Sequence, residues 1–213
     1  MDYLEIVLQT IDSYKHLGER VLSNGTRLVG HVPHIAPEAW LHEVYRPLSD
    51  KEVRKAETAL HCTMPAVFSD FLQRCNGLGL FSGSLSIYGL RSSYERTGDA
   101  VWQPFDISTP NVDERPRGSK PSFLFVGGYS EDGSKLYIDN VDLKVYRCKQ
   151  RSAKPINQWP SFEAMLEGEV QRFSTLFGPD GRELNPSEDK KRIWALIAAE
   201  NAKRAKTTPC TKE

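Results

Sequence analysis

The sequence predicts an α+β protein with a central, largely antiparallel sheet of at least four strands packed by helices, and three observations carry that prediction. Apolar residues recur at helical spacing through the first third of the chain, while short segments rich in β-branched and aromatic residues fill the middle. Two more helices follow them, so helices and strands are segregated rather than alternating. The breaks between the last extended segments hold only a few residues, too few for a crossover, and their strands must therefore pair antiparallel.

In the first element, Leu4, Val7, Leu8, Ile11, Tyr14, Leu17 and Val21 predict one amphipathic helix over residues 3–22, stopped by Asn24-Gly25. From Thr26 to Pro47 the chain is rich in Pro and His and reads as mostly loop, with a short helix near Trp40. Ser49-Asp50-Lys51-Glu52 has the form of a capping box, so a helix carrying Val53, Ala56 and Leu60 starts there. A second helix follows from Pro65 with Val67, Phe68, Phe71, Leu72 and Cys75 on its apolar face, and Asn76-Gly77 ends it.

Strands are predicted at Ser84–Tyr88, Pro121–Val126, Ser134–Asp139 and Leu143–Cys148, the last three as a meander. The polar excursion between Tyr88 and Pro121 is read as variable surface, with a short strand or turn around Val101–Ile107. Ser161 caps a helix bearing Phe162, Met165, Leu166, Val170, Phe173 and Leu176, with Trp159 as a hydrophobic staple before it. A last helix is expected over 186–205 with Ile193, Trp194, Leu196 and Ile197, fraying into a disordered tail. The organisation expected is an N-terminal helix and linker over 1–46, a main domain over 47–177, and a C-terminal helix and tail over 178–213.

Composition narrows the function classes. The 28 Lys and Arg balance 28 Asp and Glu, which leaves no overall positive field for direct nucleic-acid binding. The opening Met-Asp-Tyr-Leu-Glu is acidic where a signal peptide is basic, and no apolar run approaches membrane-span length, so a cytoplasmic location and no membrane partner are expected. Cys62, Cys75, Cys148 and Cys210 are widely spaced, as reduced thiols rather than a disulfide framework or zinc site. Gly127-Gly128 lacks the spacing of a phosphate-binding loop, and His31-Val32-Pro33-His34 supplies two imidazoles without further ligands. No catalytic, metal-binding or cofactor-binding residue is assigned.

Taken together, Leu48-Ser49, Val53, Ala56-Glu57, Leu60, Met64-Pro65, Phe68, Phe71-Leu72 and Asn76-Gly77 resemble the opening signature of the SUKH superfamily. Phe125-Val126-Gly127-Gly128, Leu136-Tyr137-Ile138-Asp139, Val145-Tyr146 and Trp159 before Ser161–Leu166 resemble its second half, so the likeness spans roughly residues 47–177. The resemblance implies a binder without a common catalytic centre: a bacterial immunity protein that neutralises a polymorphic toxin, or a relative of fungal cell-wall-assembly regulators. The expected partner is thus a protein, a cognate toxin domain such as a nuclease, and the alternative is a cytoplasmic scaffold or regulatory protein.

One local charge pattern suggests where such a partner would dock. Asp99, Asp106, Asp113, Glu114, Glu131, Asp132, Asp139 and Asp142 outnumber Arg115, Arg117, Lys120 and Lys135 over the same stretch. They form the candidate partner-binding set, an acidic face that would steer a basic toxin into place.

Overall fold

Nine strands follow one another in chain order across a single antiparallel sheet, each hydrogen-bonded to its sequence neighbours. The computed structural model describes residues 2–188 together with residues 192, 195 and 199. The strands are β1 (Glu19–Val21), β2 (Arg27–His31), β3 (Trp40–Val44), β4 (Leu78–Leu80), β5 (Leu85–Ile87), β6 (Phe123–Tyr129), β7 (Lys135–Asp139), β8 (Val145–Lys149) and β9 (Ser152–Trp159). The α-helices bounded within the described residues are α1 (Tyr3–Asp12), α2 (Asp50–Leu60), α3 (Ala66–Arg74) and α4 (Phe162–Ser174). The expected helix over 186–205 lies largely outside the described residues, as do its apolar positions, Cys210 and the tail.

Local chemistry explains the helix boundaries. Asp2 accepts from the Leu4 amide to start α1, and Leu4, Val7 and Ile11 are buried beneath it. Ser49 and Glu52 form the reciprocal capping box at α2, where Arg46 pairs with Glu52 and holds its carboxyl down at about 2. Ser161 accepts from Ala164 at the start of α4, whose buried Phe162 meets Phe68 and Phe71 of α3 edge-on. The helices and the strand residues Leu124, Val126, Leu136, Ile138 and Val145 share one core.

Three expectations fail, each for an identifiable reason. The first helix ends at Asp12 and gives way to a 3-10 turn at Lys15–Leu17, after which Gly18, at φ +125°, turns the chain into edge strand β1, where Val21, counted on the apolar face, is 68% exposed. The stretch Thr26–Pro47 holds two strands, β2 and β3, and the short helix expected near Trp40 is the start of β3 instead. Its brief apolar pieces belong to β2 and β3, Pro33, His34 and Pro37 sit in the turn between them, and the His31 ring at the end of β2 packs on its ladder partner Trp40. The apolar pieces are short because these strands are only five residues long.

The excursion from Tyr88 to Pro121 is tied to the sheet at several points. Asp99 accepts from both the amide and hydroxyl of Ser23 in the β1–β2 turn, and Gly89 exchanges backbone bonds with Phe105 and Ile107. Two asparagines then act as substitute strands. The Asn76 side chain bonds both the amide and the carbonyl of Leu90, at 2.7 and 2.8 Å. The Asn111 side chain does the same to Phe125, at 2.9 and 2.8 Å, where β6 outruns β5. Gly77 is required at the α3 exit, at φ +91°, since a Cβ there would stand 2.6 Å from the Ile87 carbonyl oxygen.

Candidate functional surface on the outer sheet face

Alternation along the last strands separates two chemistries. In β6 to β8 the aliphatic residues turn toward the helices, while Phe123, Phe125, Tyr137 and Cys148 turn outward and pack with Ala153 of β9 as a second, smaller core. The rings of Phe123 and Tyr137 stack at 4.2 Å between centroids, and Tyr137 stacks on the half-buried Tyr146 at 5.3 Å. Tyr137 is fixed by its hydroxyl, which donates to the Ala153 carbonyl, and Tyr146 by donating to Asp142. Among the described residues no helix packs on this face, and a groove of about 390 Å³ runs over it, lined by Lys120, Phe123, Tyr137, Tyr146, Lys154 and Pro155.

The loop before β6 forms one wall. Its π-type turn at Thr109–Asp113 is anchored by Asn111, and the Arg115 guanidinium donates to the carbonyls of Asn111, Lys120 and Phe123. Arg117 then lies alongside β9, its amide donating to Arg151 O and its carbonyl accepting from Ala153. Beyond Arg117 a second hollow, also about 390 Å³, opens between Glu114, Arg115, Lys135, Gln150 and Arg151. Lys135 is only 9% exposed, and its side chain makes no hydrogen bond to any described residue.

The eight acids singled out from the sequence do not meet in one place. Glu131 and Asp132 occupy the β6–β7 turn, whereas Asp139 and Asp142 flank the β7–β8 turn at the opposite end of β7. Asp99 lies at the β1–β2 turn, and Asp106 accepts from the Tyr94 hydroxyl and the Ser108 amide. Several are engaged locally: Asp132 caps Ser134 and pairs with Arg147 at 2.9 Å, and Asp139 and Asp142 accept from the Val141 and Lys144 amides. Among the described residues, the carboxylates of Asp113, Glu114 and Glu131 alone in this set accept no hydrogen bond or ion pair.

Other polar groups serve packing. Burial pushes the Cys75 thiol up to about 12 and Cys148 to about 11, far from a reactive thiolate. His42 is fully buried between Tyr14 and Phe81, and burial drives its pKa down to about 3. The Gly127-Gly128 pair admits close neighbours, since a Cβ on Gly127 would approach Ser86 O to 2.8 Å and one on Gly128 would strike the Tyr88 hydroxyl. Glu169, buried in α4, is held by Arg172 at 2.6 Å. No three His, Cys, Asp or Glu side chains among the described residues come together as metal ligands, and no helix among them is long and apolar enough to cross a membrane.

Sequence reasoning gave Lys135, Tyr137, Tyr146 and Lys154 no binding role. The signal was present as the period-2 pattern Lys135-Tyr137-Asp139 against Leu136-Ile138, which sets a polar-aromatic face against an aliphatic one. No curated protein matches the sequence. The SMI1 / KNR4 family (SUKH-1) matches residues 47–168, the stretch from the α2 capping box into α4. With that match covering more than half of the chain, and with the α+β meander it encodes, the chain belongs to the SMI1 / KNR4 (SUKH-1) family.

Proposed function

We propose that this protein is a non-catalytic binder of another protein, acting as an immunity protein that neutralises a cognate bacterial toxin. The family is generally non-catalytic and includes regulators as well as members compatible with an immunity role, which supports this class of reading. The observation that carries it is the groove on the outer face of β7–β9, where a packed aromatic floor edged by Tyr146 and Pro155 meets a charged rim beside an anchored loop. Such a surface offers apolar area, satisfied backbone and orientation-setting charges, the ingredients of a protein interface.

Co-expression with any toxin found encoded beside this chain tests the reading. Growth rescue and a complex of one partner per chain support it, whereas toxicity that persists with folded protein present overturns it. The second reading, a regulatory protein that organises several partners, is favoured by the family's regulators. It predicts several substoichiometric partners on purification from the native host, identified by mass spectrometry.

A further inference from the structure

We infer that the outer-face groove and the adjoining Lys135 hollow together form a docking channel for an acidic, extended polypeptide segment of the partner. The inference rests on the protein-binding reading and names the surface and the partner chemistry. The two hollows share Arg117 and follow β7 from Lys135 to Asp139, which gives room for about four extended residues at roughly 3.3 Å each.

Charge complementarity identifies the occupant. Arg115, Arg117, Lys120, Lys135, Arg151 and Lys154 line the channel against only Glu114 and Asp139. Among the described residues, no carboxylate lies within 4.0 Å of any of these six cations, although the molecule as a whole is neutral. Arg147, one strand away, is by contrast paired with Asp132. The stem of Lys135 is largely buried and its ammonium, with no carboxylate beside it, lines the polar hollow, so a carboxylate entering there gains a charged partner on a stem already held by the sheet.

The floor favours polypeptide over nucleic acid. Base stacking needs exposed ring faces, but Phe123 and Tyr137 turn theirs toward each other, and Tyr137 is 1% exposed. Half-buried Tyr146 and exposed Pro155 instead present an apolar strip suited to an aliphatic or aromatic side chain between acidic ones.

The test is fluorescence anisotropy of a labelled decapeptide of alternating Glu and Leu titrated with the full chain. A Lys-Leu decapeptide, a single-stranded DNA decamer and phosphatidylserine vesicles are run in parallel. The Glu-Leu peptide is expected to bind alone among the probes, and to weaken as salt rises from about 0.05 to about 0.3 M. K120E/K154E, at exposed positions, is expected to weaken it at least about tenfold, and K135M about fivefold, with circular dichroism unchanged. Absence of peptide binding, unchanged affinity in K120E/K154E, or tighter binding of the DNA or vesicles overturns the channel. The toxin complex separates the two claims: undiminished toxin capture by K120E/K154E sinks the channel and leaves protein binding standing. Peptide binding without any toxin complex or rescue does the reverse.

Discussion

Replacing Asn111 with Ala tests whether a side chain really substitutes for a missing strand beside β6. The residue is 8% exposed; its amide donates to Ile107 O and Phe125 O, both at 2.8 Å, and its oxygen accepts from the Phe125 amide at 2.9 Å. Truncation leaves a buried donor and two buried acceptors unmet, at about 1 kcal/mol or more each, so a loss of about 2–4 kcal/mol is expected. Asn111→Asp keeps the acceptor but loses both donors and adds a buried charge, so it should be no better. Urea denaturation followed by tryptophan fluorescence measures the loss, with an unchanged slope showing that the same surface unfolds. Faster hydrogen exchange at the Phe125 amide should accompany it. A loss under about 0.5 kcal/mol for Asn111→Ala would refute the reasoning, because a solvated polar contact costs no more than that.

Three further outcomes follow from the same structure. The unfolded chain protonates His42 near the ordinary 6.5, whereas the folded chain resists until about 3, so stability falls as pH drops through that window, by up to about 1.4 kcal/mol per unit. His42→Leu should flatten that dependence in acid-denaturation curves and cost little at pH 7, since neither ring nitrogen has a partner; an unchanged acid limb would contradict this. Trp159→Ala, at a half-buried staple packed on the core, should lower stability by about 1–3 kcal/mol in chemical denaturation, and an unmoved midpoint would exclude a packing role. Asp113→Lys with Glu114→Lys breaks no local bond and should leave the association rate with the partner at low salt equal or faster; a steep fall would return binding to the acidic turns.

What could be read from the sequence divides along a physical line. Caps announce themselves locally, so Ser49 with Glu52 and Ser161 located α2 and α4, and the short turns of the β6–β8 meander forced its antiparallel pairing. Strands β1 to β4 and β9 were less legible. Each depends on a neighbour rather than on its own pattern: β1 is fully exposed, and β9 is interrupted by Pro155 and bulged against β8. The acids Asp106, Asp132, Asp139 and Asp142 look alike in sequence, yet each is engaged in a turn or ion pair that only the fold shows. The reverse holds for Lys135, an ordinary lysine in sequence, which the sheet places almost out of water facing a polar hollow.

The account's central claim, that this family platform acts by seating another protein on its outer sheet face, is tested most directly by hydrogen exchange of the chain alone and in its purified complex with the partner. Slowed exchange is predicted over residues 114–120 and 150–155, with α1 unaffected. Protection confined to α1, or to the β1–β3 edge, would contradict it.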